Sequence, residues 1–178
     1  MINKSSNEPK MRKSGSQDVD RIMEIIAMAV EYMHSHGIAQ WCDGYPQREQ
    51  FLSDIARGES YVCILDGEIA GTAALSLREE PNYLKIYNGC WLTSARYGVI
   101  HRIAVDDRRK GCGIAKAFVD YIEKMCINAG ISAVRVDTHE DNRSMRRFLE
   151  KQGYIYCGMI HLPDGAPRMA YEKVLEEY

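Results

Sequence analysis

The sequence predicts a mixed α/β fold in which helices cover the faces of one sheet. In the second half of the chain, apolar runs rich in β-branched residues alternate with segments of helical spacing. The first half instead holds two helical segments and a hairpin, a combination typical of a mixed sheet. A length of 178 residues fits one domain. We therefore assign residues 1–178 to a single domain and expect the polar segment 1–8 to be frayed.

The first half predicts five elements. Polar capping residues at 16–20 precede apolar positions at helical spacing, and Asp66-Gly67 separates two apolar runs. Asp-Gly at that place favours a hairpin, because the turn needs positive φ at its centre. The predicted elements are a strand at 9–13, a helix that ends near 36–37, a helix at 47–57, and strands at 61–65 and 69–75.

The second half predicts six further elements after a connection at 79–96 that is polar and aromatic. Glycines close both helices of this half, as expected for helix C-termini. The predicted elements are strands at 97–105, 132–137, 154–160 and 169–174, and helices at 114–129 and 142–152.

Composition excludes several classes of protein. The formal net charge is −2 and 46% of the residues are apolar, which does not indicate a nucleic-acid-binding or membrane-surface protein. No apolar stretch approaches the roughly 18 residues that span a bilayer, and no leader segment is evident, so we expect a cytoplasmic protein. Six scattered cysteines without a C-x-x-C pair or a His/Cys cluster predict reduced, mostly packed thiols and no metal site.

The most informative segment is the turn Arg108-x-x-Gly111-x-Gly113 between a predicted strand and a predicted helix. The first N–H groups of a helix lack partners, the helix dipole adds positive potential, and glycine lets a ligand approach the backbone closely. Three consecutive cations at 108–110 reinforce this potential. The turn predicts a site for a diphosphate-bearing ligand, with Cys112 presenting only its backbone. Its pattern is not the G-x-G-x-x-G of a dinucleotide-binding fold.

Together with the segment Asp141 to Tyr154, this turn resembles the GNAT superfamily of acetyl-CoA-dependent N-acetyltransferases. The family's turn has the form Q/R-x-x-G-x-G/A, and its helix and strand have the form N-x-x-A-x-x-F-Y-E-K-x-G-F, which is similar to residues 142–154. The resemblance implies a mostly antiparallel central sheet, flanked by helices, whose strands splay apart at the acetyl-CoA site.

The resemblance also implies the residues that bind acetyl-CoA, with no metal involved. The strand would present its backbone to the pantetheine arm, with a bulge near Ile103 whose N–H polarises the thioester carbonyl. Backbone amides from Arg109 to Ile114 would hold the pyrophosphate, and the Asn142 side chain would approach the thiol end. The residues assigned to the coenzyme are Ile103, Ala104, Val105, Arg108, Arg109, Lys110, Gly111, Cys112, Gly113, Ile114, Ala115 and Asn142.

The catalytic groups are less defined by the resemblance. Leu149 stands where the family usually has the Tyr that protonates the leaving thiolate, so the proton would come from water or from Tyr154 or Tyr156. His101 is a candidate general base, with Asp137 and His139 on the neighbouring strand as alternatives. Each also has a purely structural interpretation, as a half-buried strand residue or as caps of the next helix.

The acceptor side is expected to come from the variable loops. Aromatic faces attract cations, so Trp41, Tyr45, Tyr87 and Trp91 are candidates to line an amine-binding cleft. The alternative is that these rings form lids over the core.

The leading functional prediction is transfer of acetyl from acetyl-CoA to a primary amine, by direct attack within a ternary complex. The amine would belong to a small molecule or to a peptide N-terminus. One alternative is a catalytically silent acyl-CoA-binding module, favoured by Leu149. Another is a nucleotide transferase, but Ile114-Ala115 follow the turn where a Walker-type Lys-Ser/Thr would be needed. A homodimer is compatible with the sequence if the last strand is an exposed edge.

Overall fold

The computed structural model describes residues 8–175 and contains, within that range, seven strands in one sheet and four α-helices. The predicted elements are present with bounds within two residues of those expected, whereas segment 1–8, apart from Glu8, lies outside the described residues. The strands are β1 (Lys10–Lys13), β2 (Ser60–Leu65), β3 (Glu68–Ser76), β4 (Tyr97–Val105), β5 (Ala133–Thr138), β6 (Ile155–His161) and β7 (Pro167–Val174). The helices are α1 (Val19–Ser35), α2 (Arg48–Ala56), α3 (Ile114–Asn128) and α4 (Arg143–Lys151).

The sheet is antiparallel except at its centre. Its strand order is β1-β2-β3-β4-β5-β7-β6, and only β4 and β5 run parallel. These two strands share just three residue pairs, Tyr97–Val99 with Ala133–Arg135. Both strands continue beyond the last pair without pairing to each other, so the sheet opens between them. This confirms the expected mostly antiparallel sheet with parted strands.

The last strand is not an exposed edge, so the condition on which the sequence made a homodimer compatible is not met. Strand β7 is hydrogen-bonded on one side to β5 and on the other to β6. The edge strands are therefore β1 and β6. The last strand of a chain need not lie at the edge of its sheet, because strand order depends on packing between distant segments.

A β-bulge interrupts β4 where the sheet opens. Ala74 pairs with His101 and Thr72 pairs with Ala104, so one residue of β3 faces both Arg102 and Ile103. Arg102 takes a positive φ of 51°. A bulge of this kind bends the strand and redirects its side chains. The bulge lies where the family resemblance implied one, next to Ile103.

Three groups of buried side chains fill the two faces of the sheet. Helices α3 and α4 cover one face, where Phe118 and Leu149 are completely buried. Helices α1 and α2 cover the other face through residues such as Ile25 and Phe51. The connection 77–96 also packs on the sheet, with Tyr83 against Val99, Ile160 and Ala170. That connection is therefore a structural layer rather than a free loop.

Gly71 of β3 lets α3 approach the sheet closely. A Cβ built at this position would lie 2.9 Å from side-chain atoms of both Ile114 and Phe118, and 3.1 Å from the carbonyl oxygen of Ala104. Because Ile114 is the first residue of α3, the missing side chain at Gly71 fixes where the N-terminus of that helix lies.

We expect Gly71→Ala to lower the free energy of unfolding by about 1–3 kcal/mol, the usual cost of an extra carbon in a filled core. Chemical denaturation measures this change. Glu68→Ala, at an exposed position of the same strand, is the control and is expected to change stability by less than about 0.5 kcal/mol. Equal stability of Gly71→Ala and wild type would contradict the close approach.

Candidate active site

A cleft of about 1450 Å³ opens where β4 and β5 part. Its walls come from the exposed end of β4, the first turns of α3 and α4, the loop 39–45 and the connection 79–82. The hairpin between β6 and β7, together with the start of β7, closes a further side. One continuous space therefore joins the glycine turn to the parted strands.

The glycine turn presents an open N-terminus of α3 to this cleft. Gly111 and Gly113 have φ of 81° and 77°, and a Cβ at either position would meet no atom within 4 Å. The N–H groups of Ile114, Ala115 and Lys116, in the first turn of the helix, have no acceptor within it. All three of these residues line the cleft. They form a cradle of donors suited to an anion.

Three other amides of the turn are already engaged. The N–H of Arg109 donates to the carbonyl oxygen of Asp106 at 2.8 Å, and that of Lys110 donates to Asp107 at 3.4 Å. The N–H of Cys112 donates to the carbonyl oxygen of Arg109 at 3.3 Å. Within residues 8–175, the amides of the turn that have no acceptor are those of Gly111 and Gly113, which adjoin the open N–H groups of the first turn of α3.

The three cations of the turn are paired with carboxylates. Arg108 donates to Asp106 at 2.7 Å, Arg109 contacts Asp66, and Lys110 lies 2.5 Å from Asp107. The hydrogen bond from Arg108 holds the pKa of Asp106 well below its usual range, and Arg21 contributes a further bond. These pairs brace the turn, so the helix N-terminus rather than a free cationic cluster supplies the positive potential.

His101 lines the cleft beside an acidic partner. Its Nε2 lies 3.3 Å from Oε2 of Glu80, and each side chain is about one-fifth exposed. The hydrogen bond with His101 lowers the pKa of Glu80, and a backbone donor from Asn82 acts in the same direction. Glu80 is therefore ionised at neutral pH and lies beside the imidazole.

Asp137 faces the same opening from β5. It lies two residues beyond the last pair, Val99 with Arg135, and so does His101 on β4. The hydroxyl of Tyr83 donates to Asp137 at 2.6 Å. Burial raises the pKa of Asp137, although the Tyr83 hydrogen bond and the charges of His101 and Arg168 oppose that rise. Two residues assigned to catalysis from the sequence are thus brought to one site.

A buried carboxylate that sequence reasoning missed organises the opposite wall. Asp54 of α2 is completely buried and accepts two bonds from Arg102, at 2.6 and 3.0 Å. Arg57 donates to it at 2.7 Å. Arg102 also donates to the hydroxyl of Tyr45 at 3.0 Å. No residue pattern indicated this contact. It depends on the bulge, which turns Arg102 toward α2.

Asn142 lines the cleft, but its side chain is held by the protein. Its Oδ1 accepts from the N–H of Met145 at 3.2 Å, which caps α4. Its Nδ2 donates to Oε1 of Gln40 at 3.0 Å, and the same oxygen accepts from Thr138 at 3.3 Å. Gln40 therefore ties the loop after α1 to the open edge of β5, a role that the sequence did not indicate.

The predicted aromatic residues divide into two groups. Trp41 and Tyr45 line the cleft. Trp91 instead donates its indole N–H to the carbonyl oxygen of Tyr83 at 2.9 Å and stacks on Arg135, and Tyr87 forms a bridge with Met159. Neither of these two lines the cleft. Trp91 and Tyr87 instead belong to the connection 77–96, which packs on the sheet.

Two of the predicted catalytic residues lie away from the cleft walls. Tyr154 is 2% exposed, burial raises the pKa of its hydroxyl well above the usual value, and it contacts the core around Leu149. His139 accepts a hydrogen bond from the N–H of Asp141 at 3.2 Å. Neither Tyr154, His139 nor the exposed Tyr156 is a lining residue. Neither tyrosine that the sequence offered as a replacement proton donor, Tyr154 or Tyr156, therefore lines the cleft.

Within residues 8–175, no group of three or more His, Cys, Asp or Glu side chains is arranged to hold a metal ion. Over the same described range, no helix combines the length and apolar character needed to cross a membrane.

The raised pKa of Asp137 predicts a pH-dependent stability effect. A raised pKa means that the native state favours the protonated form, so ionisation at neutral pH costs folding free energy. Asp137→Asn retains an oxygen for Tyr83 and removes that charge. We expect the variant to unfold at a higher temperature than wild type at neutral pH. The gain should shrink as pH falls and vanish below about pH 4, where the carboxyl is protonated in both states.

Thermal unfolding of both proteins across this pH range measures the effect. A stability difference that does not change with pH would show that Asp137 contributes through packing and not through its ionisation. Asp141→Asn, at an exposed position just after the same strand, is the control.

Comparisons with known proteins agree on one family. The family model described as Acetyltransferase (GNAT) family matches residues 23–154. A crystal structure of a GNAT-family acetyltransferase from Streptococcus agalactiae is 37% identical, covers 95% of this chain and 96% of its own, and superposes with a TM-score of 0.86. A search of curated protein sequences finds no significant match.

More distant structures share the fold. The PaiA N-acetyltransferase of Thermoplasma acidophilum, solved with coenzyme A, is 16% identical, with coverages of 94% and 99% and a TM-score of 0.72. The putative acetyltransferase YncA of Salmonella typhimurium, solved with acetyl-CoA, is 16% identical, with coverages of 97% and 96% and a TM-score of 0.68. With the family model covering most of the chain, the protein belongs to the GNAT acetyltransferase family, and acetyl transfer is the activity that this membership indicates.

Proposed function

We propose that this protein transfers the acetyl group of acetyl-CoA to a primary amine, of a small molecule or a peptide N-terminus, by direct attack within a ternary complex. One observation carries the proposal. A single cleft joins the anion cradle of α3 to the parted strands, where His101 lies beside the carboxylate of Glu80 and is suited to act as a general base. In a ternary complex the two reactants must lie in one space, and this cleft provides it.

The residues present suit coenzyme A as the donor. The first turn of α3 offers N–H groups to a pyrophosphate, with glycines that leave room for it. Ile103, Ala104 and Val105 lie on β4 beyond its last pair with β5, so their backbone on that side is open to an extended ligand. Supporting this assignment, two solved relatives with the same fold contain coenzyme A or acetyl-CoA.

His101 is proposed as the general base. An amine reaches the site mostly as an ammonium ion and must lose a proton before it attacks. His101 accepts that proton, and the ionised carboxylate of Glu80 stabilises the imidazolium that results. Trp41 and Tyr45 remain as the aromatic residues of the acceptor wall.

Gly113→Trp is expected to weaken coenzyme A binding by about tenfold or more, because the new side chain occupies the space above the cradle. Isothermal titration with coenzyme A measures this change. Gly130→Trp is the matched control. It lies just beyond the other end of α3, also at positive φ with nothing near its Cβ, and it bears the same backbone strain away from the cleft. Equal affinity of the two variants would contradict the cofactor assignment.

His101→Gln is expected to lower kcat/KM by about 100-fold or more, the usual contribution of a general base, and to remove the acid limb of the pH–rate profile. Glu80→Gln should cause a smaller loss of rate, because the imidazolium that forms during the reaction loses its negative partner. Thiol release from acetyl-CoA, followed across pH with a fixed amine, provides both profiles. An unchanged acid limb in His101→Gln would assign the base to Asp137 or to water.

A further inference from the structure

Arg168 is a buried cation at the wall of the cleft. It is the second residue of β7, is 7% exposed, and belongs to the lining of the cleft. Within residues 8–175 it forms no ion pair with any carboxylate, and its one hydrogen bond is donated by Nη1 to the carbonyl oxygen of Pro167 at 2.9 Å. A guanidinium has five N–H donors, so most of its capacity is unused by the described protein.

The unused donors face the cleft and not the core. Over the described residues, the hydroxyl of Tyr154 is the sole side-chain N or O atom that is sealed from solvent without a hydrogen-bond partner. The Nε and Nη2 atoms of Arg168 are not sealed in this way, although the residue as a whole is more than nine-tenths buried. They are therefore reached through the space that Arg168 lines.

The other arginines of the cleft differ from Arg168. Arg102 and Arg57 both bind Asp54, and Arg78 binds Glu59. Those three cations are compensated inside the protein. An uncompensated buried cation costs folding free energy, which a bound anion offsets.

The register of the sheet places Arg168 beside the reacting groups. Asp137 of β5 pairs with Ala170 of β7, and Arg168 lies two residues from Ala170. Side chains two apart in a strand share a face, and the two positions are separated by about 7 Å. Arg168 and Asp137 therefore lie on the same face of the sheet, and the charge of Arg168 acts on that carboxyl. His101 faces Asp137 across the opening.

We propose that Arg168 binds the carboxylate of the acceptor, so that the acceptor is an amino acid whose amine lies toward His101 and Asp137. This inference rests on the proposed amine acetylation. The planar fork of arginine matches a carboxylate through two parallel hydrogen bonds. A carboxylate also fits better than a phosphate dianion, because Glu79, Glu80 and Asp164 also line the cleft and repel added negative charge.

The test compares matched acceptors. Each of the protein-forming amino acids is assayed beside its decarboxylated amine and its methyl ester, with phosphoethanolamine as the phosphate probe. Rates are expressed per unprotonated amine, because the three forms differ in amine pKa. For the accepted side chains, we expect kcat/KM to be about 10- to 100-fold higher for the free amino acid than for the amine or ester, the value of a charge-assisted hydrogen bond.

Arg168→Gln should remove this preference. Its kcat/KM for the amino acid should fall by about 10- to 100-fold, while the values for the decarboxylated amine and the affinity for coenzyme A stay unchanged. Arg168→Lys keeps the charge and should keep part of the preference. An equal fall for amino acid and amine would show that Arg168 acts through Asp137 or the fold, and would overturn the proposal.

Binding separates this inference from the proposed function. Titration of the same amino acids into the protein–coenzyme A complex reports Arg168 without requiring transfer. Binding that depends on Arg168, with no acetylation of any amine, would retain the carboxylate site and overturn amine acetylation. Acetylation without preference for the free amino acid would retain amine acetylation and overturn the carboxylate site. Preference for phosphoethanolamine, or the absence of any amino-acid binding, would overturn the carboxylate assignment.

Discussion

The separation of β4 from β5 is the constraint on which the remaining structure depends. Three residue pairs hold the two strands together, and beyond Val99 and Arg135 each strand loses the other as a hydrogen-bonding partner. Unpaired backbone in the middle of a sheet is costly unless another group satisfies it. In this protein that place is the cleft. The opening of the sheet thus leaves backbone groups of β4 unpaired and facing the cleft.

The bulge at Arg102 and Ile103 complements this separation. Before the bulge, Ile100 faces the core under α3, while His101 points to the opposite side and meets Glu80. Because the bulge adds one residue, Arg102 also turns to that side and binds Asp54 of α2. Ile103 then returns to the core under α3. Two consecutive side chains therefore face the cleft, which a regular strand does not allow.

Much of the fold follows from sequence patterns, and the reasons are local. The helical spacing of α1 and α3, the Asp66-Gly67 turn and the glycines that end helices depend on residues close together in the chain, so each could be assigned without tertiary information. The position of β7 between β5 and β6 could not, because strand order depends on packing between distant segments.

The site shows the same division. The glycine turn was predictable because its chemistry lies in the backbone and in one short motif. The contacts of Asp54, Gln40 and Arg168 were not, since each joins segments far apart in sequence, such as Gln40 with Asn142. Trp91 illustrates the opposite error. An aromatic ring in a polar loop suggested a substrate contact, whereas its partners are Tyr83 of the same connection and Arg135 of the sheet.

The missing tyrosine has a physical explanation in the chemistry of the leaving group. Leu149 is completely buried in the core, and among the described residues that line the cleft there are only two tyrosines, Tyr32 and Tyr45. Tyr45 is engaged with Arg102, and Tyr32 lies under the ammonium of Lys110 at the glycine turn. A thiol has a pKa of about 8.5, so a thiolate is a stable leaving group near neutral pH and needs little help from an acid. An amine attack depends more on losing the ammonium proton, whose pKa is higher. For the proposed amine acetylation, the requirement for proton transfer thus falls mainly on the amine, and the polar groups at the opening are His101, Glu80 and Asp137.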